Sequence, residues 1–170
     1  LTDHNALYGA VRFWQAARDR KIKPIIGAEL TLACGHHVTL LAETNGGYAN
    51  LCRLISLGQL AGQKGQPRLT LEMLDEHARG LLCLSGCRKG AVTSALLAND
   101  EEGAYIAAGR LRGIFGSDCF WIELQHHGLP ADTRLTEEGL ALARRLGVGC
   151  VATNNVHYAE RSGQRLHDVL

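Results

Sequence analysis

An α/β fold follows from three features of the sequence. Short, near-continuous apolar runs alternate with amphipathic stretches at helical spacing. Runs of that kind are typical of parallel strands covered on the outside by helices. Apolar residues make up 46% of the chain and charged residues 21%, enough for a core and too apolar for a disordered chain. At 170 residues the chain has the size of one domain, and it holds no internal repeat or low-complexity segment.

The elements follow in order. Leu1-Thr2 begins a short strand that ends in Asp3-His4. Ala6 to Arg20 sets Leu7, Val11, Phe13, Trp14 and Ala17 at helical spacing. Pro24 to Leu30 reads as a buried strand opened by Pro, which a first strand position tolerates. His37 to Ala42 is the next strand, and Tyr48 to Leu60 a helix with Leu51, Leu54 and Ile55 inward. Residues 61–68, rich in Gly and Gln, form a loop. Thr70 is the expected N-cap of a helix over Leu71 to His77, with Glu72 in its first turn. Gly80 to Ser85 is a buried strand, followed by helices over Gly90 to Leu97 and Asp100 to Phe115. The strand Cys119 to Leu124, the helix Ala131 to Leu146 stopped by Gly147, and the strand Gly149 to Thr153 complete the alternation. A last helix starts near Glu160.

Composition narrows the function. Eighteen Lys and Arg stand against seventeen Asp and Glu, a net charge of +1, which argues against a whole-surface nucleic-acid clamp. Aromatic residues at 5% argue against a stacking platform for single-stranded bases. No signal peptide or membrane span is visible, and both ends look cut, so the chain reads as a piece of a longer cytoplasmic protein. The six cysteines form no CxxC pair or zinc-ribbon spacing, and reduced thiols are expected. Cys83, Cys119 and Cys150 lie in or beside apolar strands, where Cys acts as a small hydrophobe.

Histidine is the unusual entry in the composition, with eight copies. In α/β folds the chemistry collects at the carboxyl ends of the strands. There the sequence offers Asp3-His4, Glu29, Cys87, His126-His127 and Asn154-Asn155-Val156-His157; His37 differs, sitting at a strand start. His, Glu, Asp and Cys converging from separate strands suit two or three divalent metals, with imidazole and thiolate favouring zinc and carboxylates admitting manganese. Such metals would activate water for attack at phosphorus. No Ser-His-Asp arrangement or P-loop competes. His36, His77, His126 and His167 read as solvated or helix-end residues outside the site.

At these residues the sequence resembles a known family. Thr2-Asp3-His4-Asn5, Lys23-Pro24-Ile25-Ile26-Gly27-Ala28-Glu29, His37 to Ala42, Gly47-Tyr48-Ala49-Asn50-Leu51, Leu84-Ser85-Gly86-Cys87, Glu123 to Gly128 and Val151 to Tyr158 recur in this order in the polymerase and histidinol phosphatase (PHP) domain. The likeness is to the copy at the front of the bacterial DNA polymerase III alpha subunit, and the Asn-Asn-Val-His wording and Cys87 resemble its error-prone relative. The resemblance implies a distorted seven-stranded α/β barrel with a metal centre at the strand ends. It puts His4, Glu29, His37, Cys87 and His157 on ligand positions, His127 on a position that is His in metal-binding members, and Asp3 nearby. Cys87 thereby moves from core filler to ligand.

Two departures from the family pattern bear on the site. Its last motif is Asp-x-His, and here Asn155 stands at the Asp position; an amide oxygen can ligate a hard cation but cannot act as a base. Its opening His-x-His strand lies upstream of Leu1, so the barrel is expected to be open at one seam, the metal centre incompletely filled, and the edge free for oligomerisation. The expectation is a PHP domain fragment over residues 1–170, with polymerase domains following. Its parent would synthesise DNA in replication or error-prone repair with other replisome subunits. The fragment would carry a zinc- or manganese-dependent phosphoesterase or 3′–5′ exonuclease site and have no membrane partner. The alternatives are a free-standing phosphoesterase such as histidinol phosphatase, and a metal-free structural module that binds a replisome subunit.

Overall fold

In the computed structural model, which describes residues 1–169, six strands form one sheet in sequence order. They are β1 (Thr2–His4), β2 (Gly27–Thr31), β3 (His37–Ala42), β4 (Leu81–Leu84), β5 (Phe120–Leu124) and β6 (Gly149–Ala152). Seven α-helices accompany them: α1 (Ala10–Asp19), α2 (Asn45–Ala61), α3 (Leu71–His77), α4 (Ala91–Leu97), α5 (Glu101–Phe115), α6 (Asp132–Leu146) and the single turn α7 (Gln164–His167). The α/β class and the element order are as the sequence predicts. Among the described residues the barrel is not closed: β1 and β6 are the two edges of the sheet. No helix among them is long and apolar enough to cross a membrane.

The parallel sheet expected from the apolar runs is replaced by a mixed one. β1 pairs parallel with β2, and β4, β5 and β6 run parallel, but β3 is antiparallel to both neighbours. The cause is the short connection of residues 32–36, which can only turn the chain back; Gly35 supplies the positive φ of +88°. Reversal of β3 carries its first residue, His37, to the edge where β1, β2 and β4 end.

Three boundaries also differ from expectation. β2 starts at Gly27, three residues after Pro24. Helix α1 starts at Ala10, since Ala6 forms a bridge with Asp3 and the Asp3 carboxylate accepts from the Gly9 backbone N–H at 2.8 Å. Near Glu160 there is only a 3₁₀ turn (Arg161–Gly163) ahead of α7.

Alternation along the strands gives the sheet two unlike faces. One face presents Ala28, Leu30, Val38, Leu40, Cys83, Phe120 and Ile122, all buried against Leu51, Leu54, Leu74, Val92, Ala108, Leu111 and Leu135 of the helices. The other presents His4, Glu29, His37, Thr39 and Glu123. Helix starts are fixed by side-chain caps: the Thr44 hydroxyl accepts from the Gly47 N–H at 3.0 Å and the Asp100 carboxylate from the Gly103 N–H at 2.8 Å. Gly47 is required for a second reason. A Cβ there would stand 1.7 Å from the Gly80 carbonyl, so only glycine lets α2 lie against the start of β4.

Candidate metal centre

Strand register assembles the site. His4 on β1 pairs with Glu29 on β2, and Glu29 pairs with Thr39, two residues from His37 on the same face of β3. Three donor groups therefore meet from three strands, and their ligand atoms lie within 4.8 Å of one another. One carboxylate oxygen is the focus: Glu29 Oε1 is 3.0 Å from His4 Nε2 and 2.5 Å from His37 Nδ1. The two imidazoles meet edge-on with centroids 5.3 Å apart. Glu29 and His37 are largely buried, with side chains 14% and 10% exposed, whereas His4 is 57% exposed and forms the open side.

Cys87 stands beside this group rather than in it, its Sγ 3.8 Å from His37 Nδ1. Burial pushes its thiol pKa up, and the carboxylates of Glu29 and Glu123 add to the rise against a lowering backbone hydrogen bond from Lys89. Gly86 allows the tight turn into Cys87: its φ is +89°, and a Cβ there would stand 2.5 Å from the His37 carbonyl oxygen. Two imidazole nitrogens and a carboxylate within reach of one point, with the Cys87 thiol beside His37, fit zinc in donor type, and the carboxylate also suits manganese.

The remaining sequence-predicted residues are not in this group. Asp3 lies on the opposite face of β1 and is engaged with Gly9. His127 is exposed; its backbone N–H donates to Asp132 Oδ2 at 2.7 Å. Asn155 and His157 lie beyond β6 and are exposed, the His157 ring resting against His167 at 4.7 Å between centroids. His36, His77, His126 and His167 also stand outside the cluster.

Two groups that hold the site went unread in the sequence. Asn5 clamps the ends of β1 and β2: its Oδ1 accepts from the Thr31 N–H at 2.8 Å and its Nδ2 donates to Thr31 Oγ1 at 3.1 Å. Its φ of +50° is one that Asn tolerates better than most residues, which is the local signal for it. Asp132, buried, ties two loops together. It accepts from Arg88 Nη1 at 2.7 Å, next to Cys87, and from the N–H groups of His127 and Leu129 at 2.7 and 3.0 Å. Forty-four residues separate Arg88 from Asp132, so no local pattern announces the pair.

Residues 1–127 match the family described as the PHP domain. Across the whole chain, it is 39% identical to the DNA polymerase III subunit alpha of Thermus aquaticus and 37% identical to that of Deinococcus radiodurans. Over 98% of the chain it is 42% identical to an error-prone DNA polymerase of Mycolicibacterium paratuberculosis. The chain spans 15%, 14% and 16% of the lengths of these three relatives. The match over residues 1–127 takes in every candidate ligand brought together at the sheet edge, and on it the chain belongs to the PHP domain family.

Proposed function

We propose that this chain is the PHP domain of a DNA polymerase III alpha-type subunit. In this reading its His4–Glu29–His37–Cys87 centre binds a divalent metal and hydrolyses phosphodiesters, as a 3′–5′ exonuclease does. The observation that carries the metal reading is the meeting of three ligand side chains from three strands on one carboxylate oxygen. The polymerase reading is supported by the names of the relatives, which are replicative and error-prone DNA polymerases. Those names also favour it over a free-standing histidinol phosphatase. The parent would work on DNA with other replisome subunits in the cytoplasm, and a seventh strand would close the barrel seam between β1 and β6.

Zinc or manganese is the cofactor the donor set suits, supplying Lewis-acid activation of water and of a phosphoryl oxygen. Glu29 takes the central place, with a ring nitrogen of His4 and of His37 directed at the same oxygen. His37 and Cys87 form the closed side of the centre, and exposed His4 leaves the opposite side free for a phosphodiester. Arg88 is held on Asp132, which fixes the loop that carries Cys87.

A second reading, a metal-free module that docks on another replisome subunit, is favoured by Asn155 in place of Asp and by the exposure of Asn155 and His157. One experiment separates the two. Metal content of the purified chain is measured, together with release of nucleotides from 3′-end-labelled single-stranded DNA with added Zn²⁺ or Mn²⁺. Stoichiometric metal, lost in His4→Ala and His37→Ala, supports the metal centre. A metal-free chain whose stability is unchanged in both variants overturns it in favour of the docking module.

A further inference from the structure

Among the described residues two carboxylates, Glu123 and Asp132, are buried, and only one has a cationic partner. Asp132 is paired with Arg88, whereas Glu123, 9% exposed, meets no Lys, Arg or His at ion-pair distance. Burying a carboxylate without a counter-charge is costly, and hydrogen bonds must offset it. Glu123 Oε1 accepts from Thr153 Oγ1 at 2.5 Å and Gln125 Nε2 at 3.1 Å; Oε2 accepts a longer bond from Thr39 Oγ1 at 3.4 Å. Its own backbone N–H donates to Ser85 Oγ at 2.9 Å.

The partners share one relation to the site. Thr39 lies two residues after His37 and is the cross-strand partner of Glu29. Ser85 lies two residues before Cys87, and Thr153 two residues before Asn155. Thr39 and His37 project from the same face of β3, so the Glu123 row sits one step inward from the ligands. A single residue thus fastens β3, the end of β4 and the end of β6, the three segments that deliver His37, Cys87 and the Asn155–His157 stretch.

We infer that Glu123 is a positioning residue of the metal centre, holding these three segments in register from one row inward and so setting the places of His37 and Cys87. The inference rests on the metal-binding reading above. Outer partners that orient metal ligands contribute roughly 10–100-fold to affinity, which sets the scale of the effect.

The test measures Zn²⁺ affinity of the full chain by chelator competition and the visible spectrum of the Co²⁺ form, with far-ultraviolet circular dichroism to follow folding. Glu123→Gln keeps the shape and one acceptor oxygen and is expected to weaken Zn²⁺ about 10-fold. Glu123→Ala should approach about 100-fold and shift the Co²⁺ bands, because the ligands move. Thr39→Val and Thr153→Val each remove one donor; they should shift the same bands by less, and they decide the matter if Glu123→Ala does not fold. Affinity within about twofold of the unsubstituted chain in Glu123→Gln and both Thr variants, with unmoved Co²⁺ bands, overturns the inference alone. An unsubstituted chain that binds neither ion overturns the metal reading and this inference with it.

Discussion

The sheet edge carries two groups of candidate ligands of different character. At the ends of β1, β2 and β4 and the start of β3, His4, Glu29, His37 and Cys87 lie within contact of at least one other member. At the ends of β5 and β6, His127, Asn155 and His157 are exposed and apart. The residue types in the two groups are alike, so ligand chemistry does not account for the difference. Strand pairing does. Glu29 sits in a strand paired on both sides, and His4, within edge strand β1, is held by its ladder to Glu29 and by the Asn5–Thr31 clamp, whereas Asn155 and His157 lie past the end of β6. Backbone hydrogen bonds fix the register that brings His4, Glu29 and His37 together, while Cys87, two residues beyond the Ser85–Trp121 bond, is held by the Gly86 turn and the Arg88–Asp132 pair beside it.

The largest test of that contrast removes one ligand from each group. Structural zinc sites bind with roughly 10–16 kcal/mol in all, so in the metal-binding reading the loss of the central candidate ligand should cost about 3 kcal/mol or more. Glu29→Ala should therefore weaken Zn²⁺ more than about 100-fold, and His157→Ala less than about 10-fold. Equal losses, measured by chelator competition, would mean that the second group closes onto the first when metal binds. The next test compares two glycines at the two halves of the edge. Gly86 (φ +89°) and Gly128 (φ +78°) share a left-handed backbone, but a Cβ meets the His37 carbonyl at the first and open space at the second. Gly86→Ala should cost about 2–3 kcal/mol through strain and overpacking, and Gly128→Ala about 1 kcal/mol through strain alone. Urea unfolding in the presence of a chelator reads both, and a Gly128 variant as damaging as the Gly86 one would show that the second loop is as tightly built as the first.

The sequence was most informative where a signal is local. Short apolar runs and period-3.6 patterns located all six strands and six of the seven helices, and Thr70 caps α3 as expected, its hydroxyl accepting from the Met73 N–H at 3.4 Å. Strand direction was not legible from apolar runs, because a buried antiparallel strand is as continuously apolar as a parallel one. The five-residue connection with Gly35 held the missing information, and reading it as a hairpin would have brought His37 to the ligand edge without any family likeness. Cys87 illustrates the opposite limit. A cysteine just past a buried strand has the pattern of core filler, and what sets it apart is its contact with His37, fifty residues earlier in sequence and 3.8 Å away in space. Glu123 and Asp132 were silent for the same reason: their partners come from strands and loops that only the folded sheet brings together.

The smallest expected effect concerns the brace between the two halves. Asp132 accepts from the backbone N–H groups of Leu129 and His127 and pairs with Arg88, and these contacts, led by the Leu129 bond, hold its carboxyl below the usual aspartate pKa. A carboxyl with a lowered folded-state pKa stabilises the fold above its unfolded value. That contribution disappears as the pH falls through the lowered folded value, where the native state must also take up the proton. Acid unfolding of the chelated protein should therefore steepen across that acidic window. Asp132→Asn should flatten it, leaving stability at lower pH nearer that of the unsubstituted chain than at neutrality. Because Asp132 joins the Cys87–Arg88 loop to the His127 loop, the same variant should loosen the second group of ligands more than the first. Hydrogen exchange would then rise at the His127 and Leu129 amides and stay unchanged at Asn5, whose N–H is bonded to the Glu29 carbonyl at 2.9 Å. Faster exchange at Asn5 as well would place the Asp132 brace under both halves of the edge and remove the distinction between them.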